Sequence, residues 1–355
     1  MRSIIVLACA AAAASAQAQS SVTLSGIVDL AGRSVSNEGA GSLKSLVSGS
    51  NATSRLVFSG REDLGGGLAA AFHLENGLLA DTGTPASSTK FWDRRSTVSL
   101  LSKDLGELRL GRDFVPSYSN WSRYDPFAYV GVARSANLVS ATPVGPIRSA
   151  FGTNANTTVR SDNAVQLLLP AGLGGLEGGV MVAAGEGGAV ASGQAKVIGV
   201  RLGYAGGSFG VSAATTHSEN SQTTAGKFKD TAIGGHLAFA NVRLSAAWRN
   251  FDYDAAEQRL LLVGVAANFG VHEVKASWNK TDLSGSVGAI DIGANDASQL
   301  GLGYVYNLSK RTALYASCAR ISNDGAARFV ISDGASGIVA GGNSTGYEFG
   351  LRHRF

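Results

Sequence analysis

Residues 344–355 read STGYEFGLRHRF. Tyr347, Phe349, Leu351 and Phe355 fall on one side of an extended chain. Glu348, Gly350, Arg352 and Arg354 fall on the other, and only His353 interrupts the apolar side. Side chains alternate across a strand with a period of two. Most domains end in polar, poorly ordered residues, whereas this alternation runs to the last aromatic residue. The stretch reads as a strand needed over its full length, with one face for lipid or core and the other for water.

Composition points the same way. Of 355 residues, 47 are Gly, 6 are Pro and only 16% are charged, which is low for a soluble domain. A net charge of +4, with no basic, aromatic-rich patch, gives no support for a nucleic-acid partner. The first residues, MRSIIVLACAAAAASAQA, set one basic residue before an apolar run and a small-x-small end at Ala16-Gln17-Ala18. That is the pattern of a secretory leader, so residues 1–18 are expected to be removed and 19–355 to form one domain. Cys318 is then the only cysteine left, and no disulfide within the chain is possible.

The alternation recurs along the chain. SVTLSGIVDLAG (21–32) sets Val22, Leu24, Val28 and Leu30 against Thr23, Ser25 and Asp29. GLAAAFHLEN (67–76), NVRLSAAWRN (241–250), HEVKASWNK (272–280) and QLGLGYVYNLS (299–309) repeat it. Seven tight connections alternate with eight loops: seven longer polar ones, near 34–51, 78–90, 113–159, 185–195, 219–227, 281–297 and 322–345, and a short eighth near 252–256. Sixteen strands result, each long enough for the 9–11 residues that a tilted membrane strand needs. Short turns at one end and long loops at the other describe an outer-membrane barrel. In lipid every backbone N–H and C=O must be paired, and an open sheet leaves two edges bare. The first strand, near 21–33, must therefore pair with the last, near 346–355. Phe355, with Phe269 on the same side, is expected in the aromatic girdle.

The expected fold class is thus all-β: a 16-stranded antiparallel transmembrane barrel wide enough for an aqueous channel. Its water-facing set is rich in arginine (Arg55, Arg61, Arg109, Arg160, Arg201, Arg243, Arg249, Arg352, Arg354), with Lys275 and the acids Asp29, Glu75, Glu107, Asp162, Glu273 and Glu348. Most of these simply line a wet wall. Rings of arginine in a narrow passage, however, favour anions. The longest connection, 113–159, carries Phe114, Tyr118, Trp121, Tyr124, Phe127 and Tyr129 and few charges. Such length is unusual for a plain loop, and so many aromatics need a surface to pack on. The barrel interior offers one.

These residues also carry a resemblance. SSVTLSGIVDLAG, TSRLVFSGREDLGGGLAAAFHLENG, DRRSTVSLLSKDLGELRLGRDFVPSY, YDPF, GYVYNLSKRTALYA and the terminal GLRHRF resemble the trimeric general porins of Gram-negative outer membranes, β-proteobacterial type. The resemblance implies a trimer in the outer membrane whose third loop folds inward. It also implies contact with lipopolysaccharide and a terminal Phe read by the assembly machinery. Small hydrophilic solutes, inorganic or organic anions among them, would diffuse through without a cofactor. Anion-preferring members cluster arginines at the constriction. The matching positions here are Arg55 in TSRL, Arg94 or Arg95 before STVSL, and Arg160 in TVRSDNAV. The family pattern favours Arg94, whereas strict alternation favours Arg95. Glu75 on the wall and Asp113 and Asp125 on the loop would face them.

Other motifs compete less well. LLADTGT (78–84) holds an Asp-Thr-Gly, but aspartic protease chemistry needs two carboxylates sharing a proton, and only one such motif exists. The glycines of GREDLGGGL (60–68) have no Lys-Ser/Thr after them, so a turn suits them better than a phosphate cradle. The five histidines show no metal-ligand spacing. Two rival functions remain: a barrel enzyme (protease or lipase), for which His73 and Glu75 are the nearest acid–base pair, and a surface adhesin acting through the outer loops.

Overall fold

The computed structural model describes residues 21–139, 144–152, 158–184, 196–220 and 223–355. The leader expected at 1–18 lies outside the described residues. One antiparallel sheet of nineteen strand runs closes on itself. Two runs, Thr84–Pro85 and Ile290–Asp291, are two-residue hairpin extensions. Two more, Gly41–Ser48 and Arg55–Gly65, pair with successive halves of the first strand and make one interrupted stave. Sixteen staves remain.

They are β1 (Ser21–Asn37), β2 (Gly41–Ser48 with Arg55–Gly65), β3 (Leu68–Leu79), β4 (Arg95–Ser102), β5 (Gly106–Phe114), β6 (Arg160–Leu168), β7 (Leu176–Ala183) and β8 (Lys196–Ala205). The second half comprises β9 (Phe209–Glu219), β10 (Phe228–Phe239), β11 (Val242–Tyr253), β12 (Ala256–Phe269), β13 (His272–Val287), β14 (Ala297–Asn307), β15 (Thr312–Asn323) and β16 (Asn343–Arg354).

Closure runs between β1 and β16, from Ile27 opposite Arg354 to Asn37 opposite Ser344. The opening stretch is answered at this seam. Gly26 and Phe355 exchange two backbone hydrogen bonds of 3.1 Å. The Phe355 ring lies over Gly26, where an added Cβ would sit 2.4 Å from the ring and 2.6 Å from the Arg55 carbonyl. The ring could shift, but the carbonyl is held by the sheet. A Gly26→Val variant is therefore expected to yield much less folded barrel. The test is the fraction of heat-modifiable, compact band on unboiled gels; a wild-type fraction would refute this account of the seam.

The outward face carries Val22, Leu24, Val98, Leu100, Val263, Leu300, Phe349 and Leu351, all exposed, as a lipid-facing wall demands. Aromatics gather at the short-turn rim: Phe209, Phe239, Phe269, Tyr306 and Phe355 lie at or near those turns and are exposed. Two long connections of the sequence reading are shorter here. Strands β1 and the start of β2 continue to a tight turn at 38–40, where a 34–51 loop was expected. Likewise β13 runs on to Val287, into the expected 281–297 loop. In both places the turn residues (Glu38-Gly39-Ala40, and Gly288) are flanked by ladder pairs, Asn37 with Gly41 and Val287 with Ile290.

The inner face is not uniformly polar. On β10, β11 and β12, Phe228, Phe251, Tyr253, Leu260 and Leu262 point inward and are buried. They pack with Phe151, Ile147 and Leu138 of the 115–159 connection, and the same cluster takes in Phe329 and Ile331 of the last loop. One side of the lumen is thereby filled with a hydrophobic core. Three cavities lie away from this core, lined from the wall by residues of β1–β8 and by Arg354 of β16.

Candidate pore constriction

The described residues of the connection between β5 and β6 pack against inward-facing residues of the barrel wall. The connection starts with α1 (Pro116–Ser122), with Pro116 at the helix start, where its missing N–H costs nothing. Ser117 donates its N–H to Thr216 Oγ1 (3.1 Å) and its hydroxyl to Asp230 Oδ2 (2.6 Å). Asn120 Nδ2 donates to the Ala232 carbonyl at 3.1 Å. Beyond the helix the chain crosses the wall at glycines. An added Cβ would meet Tyr124 at 2.3 Å from Gly234 and Pro126 at 2.4 Å from Gly264. Further on, Gln299 Nε2 donates to the Ala133 carbonyl (3.0 Å), Gln258 Nε2 to the Leu138 carbonyl (2.7 Å), and Val132 N–H to Glu348 Oε1 (3.2 Å). A second short helix, α2 (Pro146–Phe151), packs on β11. The return is held by Arg249, which is fully buried, pairs with Asp230 at 2.7 Å and donates to the Thr158 carbonyl at 3.1 Å.

Between this loop and the facing barrel wall lies a cavity of about 760 Å³. Arg55, Arg94, Arg134, Arg148, Arg160 and Arg354 line it, with Tyr118 and Tyr129, and among the described residues no Asp or Glu does. Arg55 comes from the point where β2 resumes. Arg160 opens β6: its Nε donates to the Arg94 carbonyl (2.9 Å) and its guanidinium lies 4.7 Å above the Phe114 ring. A register shift between Gly111 and Asp113 and a left-handed Asn163 (φ 53°) turn the chain here. Asp162 then pairs with Arg112 (2.5 Å) and Lys90 (2.7 Å) and stays off the cavity lining.

Arg94 and Arg95 both face inward, at different levels. Arg94 precedes β4, gives its N–H to the Glu75 carbonyl at 3.2 Å and lines the large cavity. Arg95 begins the strand opposite Glu75 and lines two smaller cavities, with Arg61 and His73 in one and Arg109 and Asp113 in the other.

The three acids are each engaged. Glu75 lies 2.5 Å from Arg94 Nε, 3.5 Å from Arg55 Nε and 3.2 Å from His73 Nε2. Asp113 accepts from Arg109 (2.8 Å) and Gln166 (3.1 Å), with Arg95 at 3.5 Å, away from the arginine cavity. Asp125 is buried within the loop's own fold and accepts from the N–H groups of Phe127, Tyr129 and Ser135 and from the Ser135 hydroxyl at 2.6 Å. Burial raises its pKa above the ordinary carboxylate range against those hydrogen bonds. The structure therefore brings Arg55, Arg94, Arg160 and Glu75 together and sets Arg95, Asp113 and Asp125 apart from them. Burial also pushes the Tyr129 phenol up to about 12 and raises Tyr118, so both line the cavity uncharged at neutral pH.

Arg134, Arg148 and Arg354 were not singled out from sequence. The first two belong to a loop whose path is set by distant contacts, and Arg354 lay among the general wall positions. The signal for the covered wall was present nonetheless. Phe228, Phe251, Leu260 and Leu262 occupy inward parity, where an open lumen would take polar residues.

A closed barrel with an apolar outer band, an inner loop and a charged passage defines a transmembrane channel. The chain belongs to the Gram-negative porin family, whose profile matches residues 5–326. Outer membrane porin protein 32 of Delftia acidovorans is 35% identical over 372 aligned positions, spanning 100% of this chain and 99% of that one. Among solved structures, the anion-selective porin from Comamonas acidovorans matches with a TM-score of 0.81 at 32% identity, over 95% of this chain and 100% of that one. A loop-deletion form of OmpT from Vibrio cholerae, at 14% identity and a TM-score of 0.66, covers 95% of this chain and 99% of its own and shares the fold. The protein is thus an outer-membrane channel for passive diffusion of small hydrophilic solutes, and the enzyme and adhesin readings give way to it.

Proposed function

We propose that this porin prefers anions and that Arg55, Arg94 and Arg160 are its filter, with Glu75 as the counter-charge that spaces them. The observation that carries the reading is the cavity beside the inner loop, lined by six arginines and by no carboxylate among the described residues. Low-dielectric walls focus such a field, so an anion entering there is drawn in and a cation is held back. Arg95, Asp113 and Asp125 shape the passage around the filter through their own pairings. The Comamonas relative is itself an anion-selective porin, in agreement with this reading. The working form we propose is a homotrimer, with lipopolysaccharide around its rim and Phe355 as the residue the assembly machinery reads. Residues 1–18 serve as the export leader, and 19–355 remain as the barrel.

The test is the zero-current potential of purified protein in a planar bilayer under a tenfold KCl gradient. A potential of the sign set by chloride is expected. A potential of the potassium sign would overturn the reading.

A further inference from the structure

The arginine cavity has a second chemical character. Phe114 and Tyr118 stack with ring centroids 5.0 Å apart, and Tyr118 meets Tyr129 edge-on at 5.1 Å. Both tyrosines line the same cavity as the arginines. Arg160 joins the two sets, since its guanidinium rides 4.7 Å above the Phe114 ring while it also lines that cavity. Tyr118 and Tyr129 are partly exposed and line the cavity, and Phe114 backs them from outside its lining. Cations fixed beside aromatic faces form a site with two demands: a negative group at one end and a flat, polarisable body at the other.

We infer that the cavity is a binding subsite for aromatic carboxylates. The carboxylate would rest among Arg55, Arg94 and Arg160, and the ring against Tyr118 and Tyr129. The inference rests on the anion preference proposed above and adds a solute class to it. A volume of about 760 Å³ is ample for a single benzene ring with one or two acid groups. The tyrosines are neutral there at pH 7, so they do not repel the acid.

The experiment measures block of the KCl current through single channels by benzoate, against cyclohexanecarboxylate as a probe of the same charge and similar size without a π face. Both acids are fully ionised at pH 7.4. Benzoate is expected to half-block at a concentration at least about threefold lower, the advantage of aromatic over equal aliphatic area. The gap should close in Tyr118→Leu and in Tyr129→Leu and persist in Tyr118→Phe. Equal block by the two acids, or block by neither, would overturn the subsite while a chloride-signed zero-current potential kept the anion reading intact. A potassium-signed potential would overturn both. The comparison of the two acids on the wild-type channel stands even if a tyrosine variant fails to assemble.

Discussion

A channel carrying Arg55→Gln, Arg94→Gln and Arg160→Gln together is expected to lose its preference for chloride. Glutamine keeps a polar chain of similar reach and removes only the charge. One unit charge about 7 Å from an ion in a water-like medium is worth about 0.6 kcal/mol. The effect is opposite for chloride and potassium, so each arginine changes their permeability ratio roughly sevenfold before screening, by the same Coulomb estimate. Salt weakens this, since the Debye length is about 10 Å at 0.1 M, and the contrast should therefore be largest in dilute KCl. In the triple variant Glu75 loses both guanidinium partners and keeps His73 at 3.2 Å, so the former counter-charge is no longer balanced. Adding Glu75→Gln should move the zero-current potential back toward chloride. The barrel itself should fold, because lumen substitutions tune selectivity more than stability. An unmoved potential in the triple variant would take these arginines out of the filter.

How far the sequence led can be judged from particular positions. Strand number and closure were legible because lipid imposes an absolute rule on the outer face: Tyr347, Phe349 and Leu351 point out, and the register with β1 follows. The turn at 38–40 was hidden because its polar residues look like any loop. At Arg94 and Arg95 alternation offered one inward residue or the other, whereas the structure aims both inward. Parity holds only within a strand, and Arg94 lies just before β4 begins, held by the Glu75 carbonyl. The inner loop defeated local reading for a different reason. Arg249 is in parity a wall residue facing water, yet it is fully buried beneath the loop and paired with Asp230. Its partner and its cover come from 19 and 91 residues away in sequence, distances over which periodicity carries no information.

The largest loss of stability is expected from Glu348→Ala. Glu348 stands directly opposite Arg33 across the closing seam. Its Oε2 takes two hydrogen bonds from that guanidinium, at 2.8 and 3.1 Å, and its Oε1 takes the Val132 N–H of the inner loop at 3.2 Å. Arg33 also donates to Ser50 at 2.9 Å and pairs with Asp333 of the last loop. One carboxylate thus ties together the two terminal staves and the β5–β6 loop. With side-chain exposures of 5% for Arg33 and 1% for Glu348, neither charge has ready access to water. Breaking a buried pair from one side typically costs about 3–5 kcal/mol when the remaining charge is left unpaired; Arg33 keeps Asp333 and Ser50, so the low end of that range is expected. The variant should therefore unfold at a lower temperature on heating in detergent. Its single-channel current should also rise and become noisier, as the loop loses its hold at Val132. A paired Arg33→Met, Glu348→Met change separates the two effects, since an apolar pair of similar bulk can restore stability but cannot accept the Val132 N–H. It should recover the heat transition and keep the raised conductance. If Glu348→Ala alters neither the transition nor the current, the carboxylate is not the link between barrel closure and pore width.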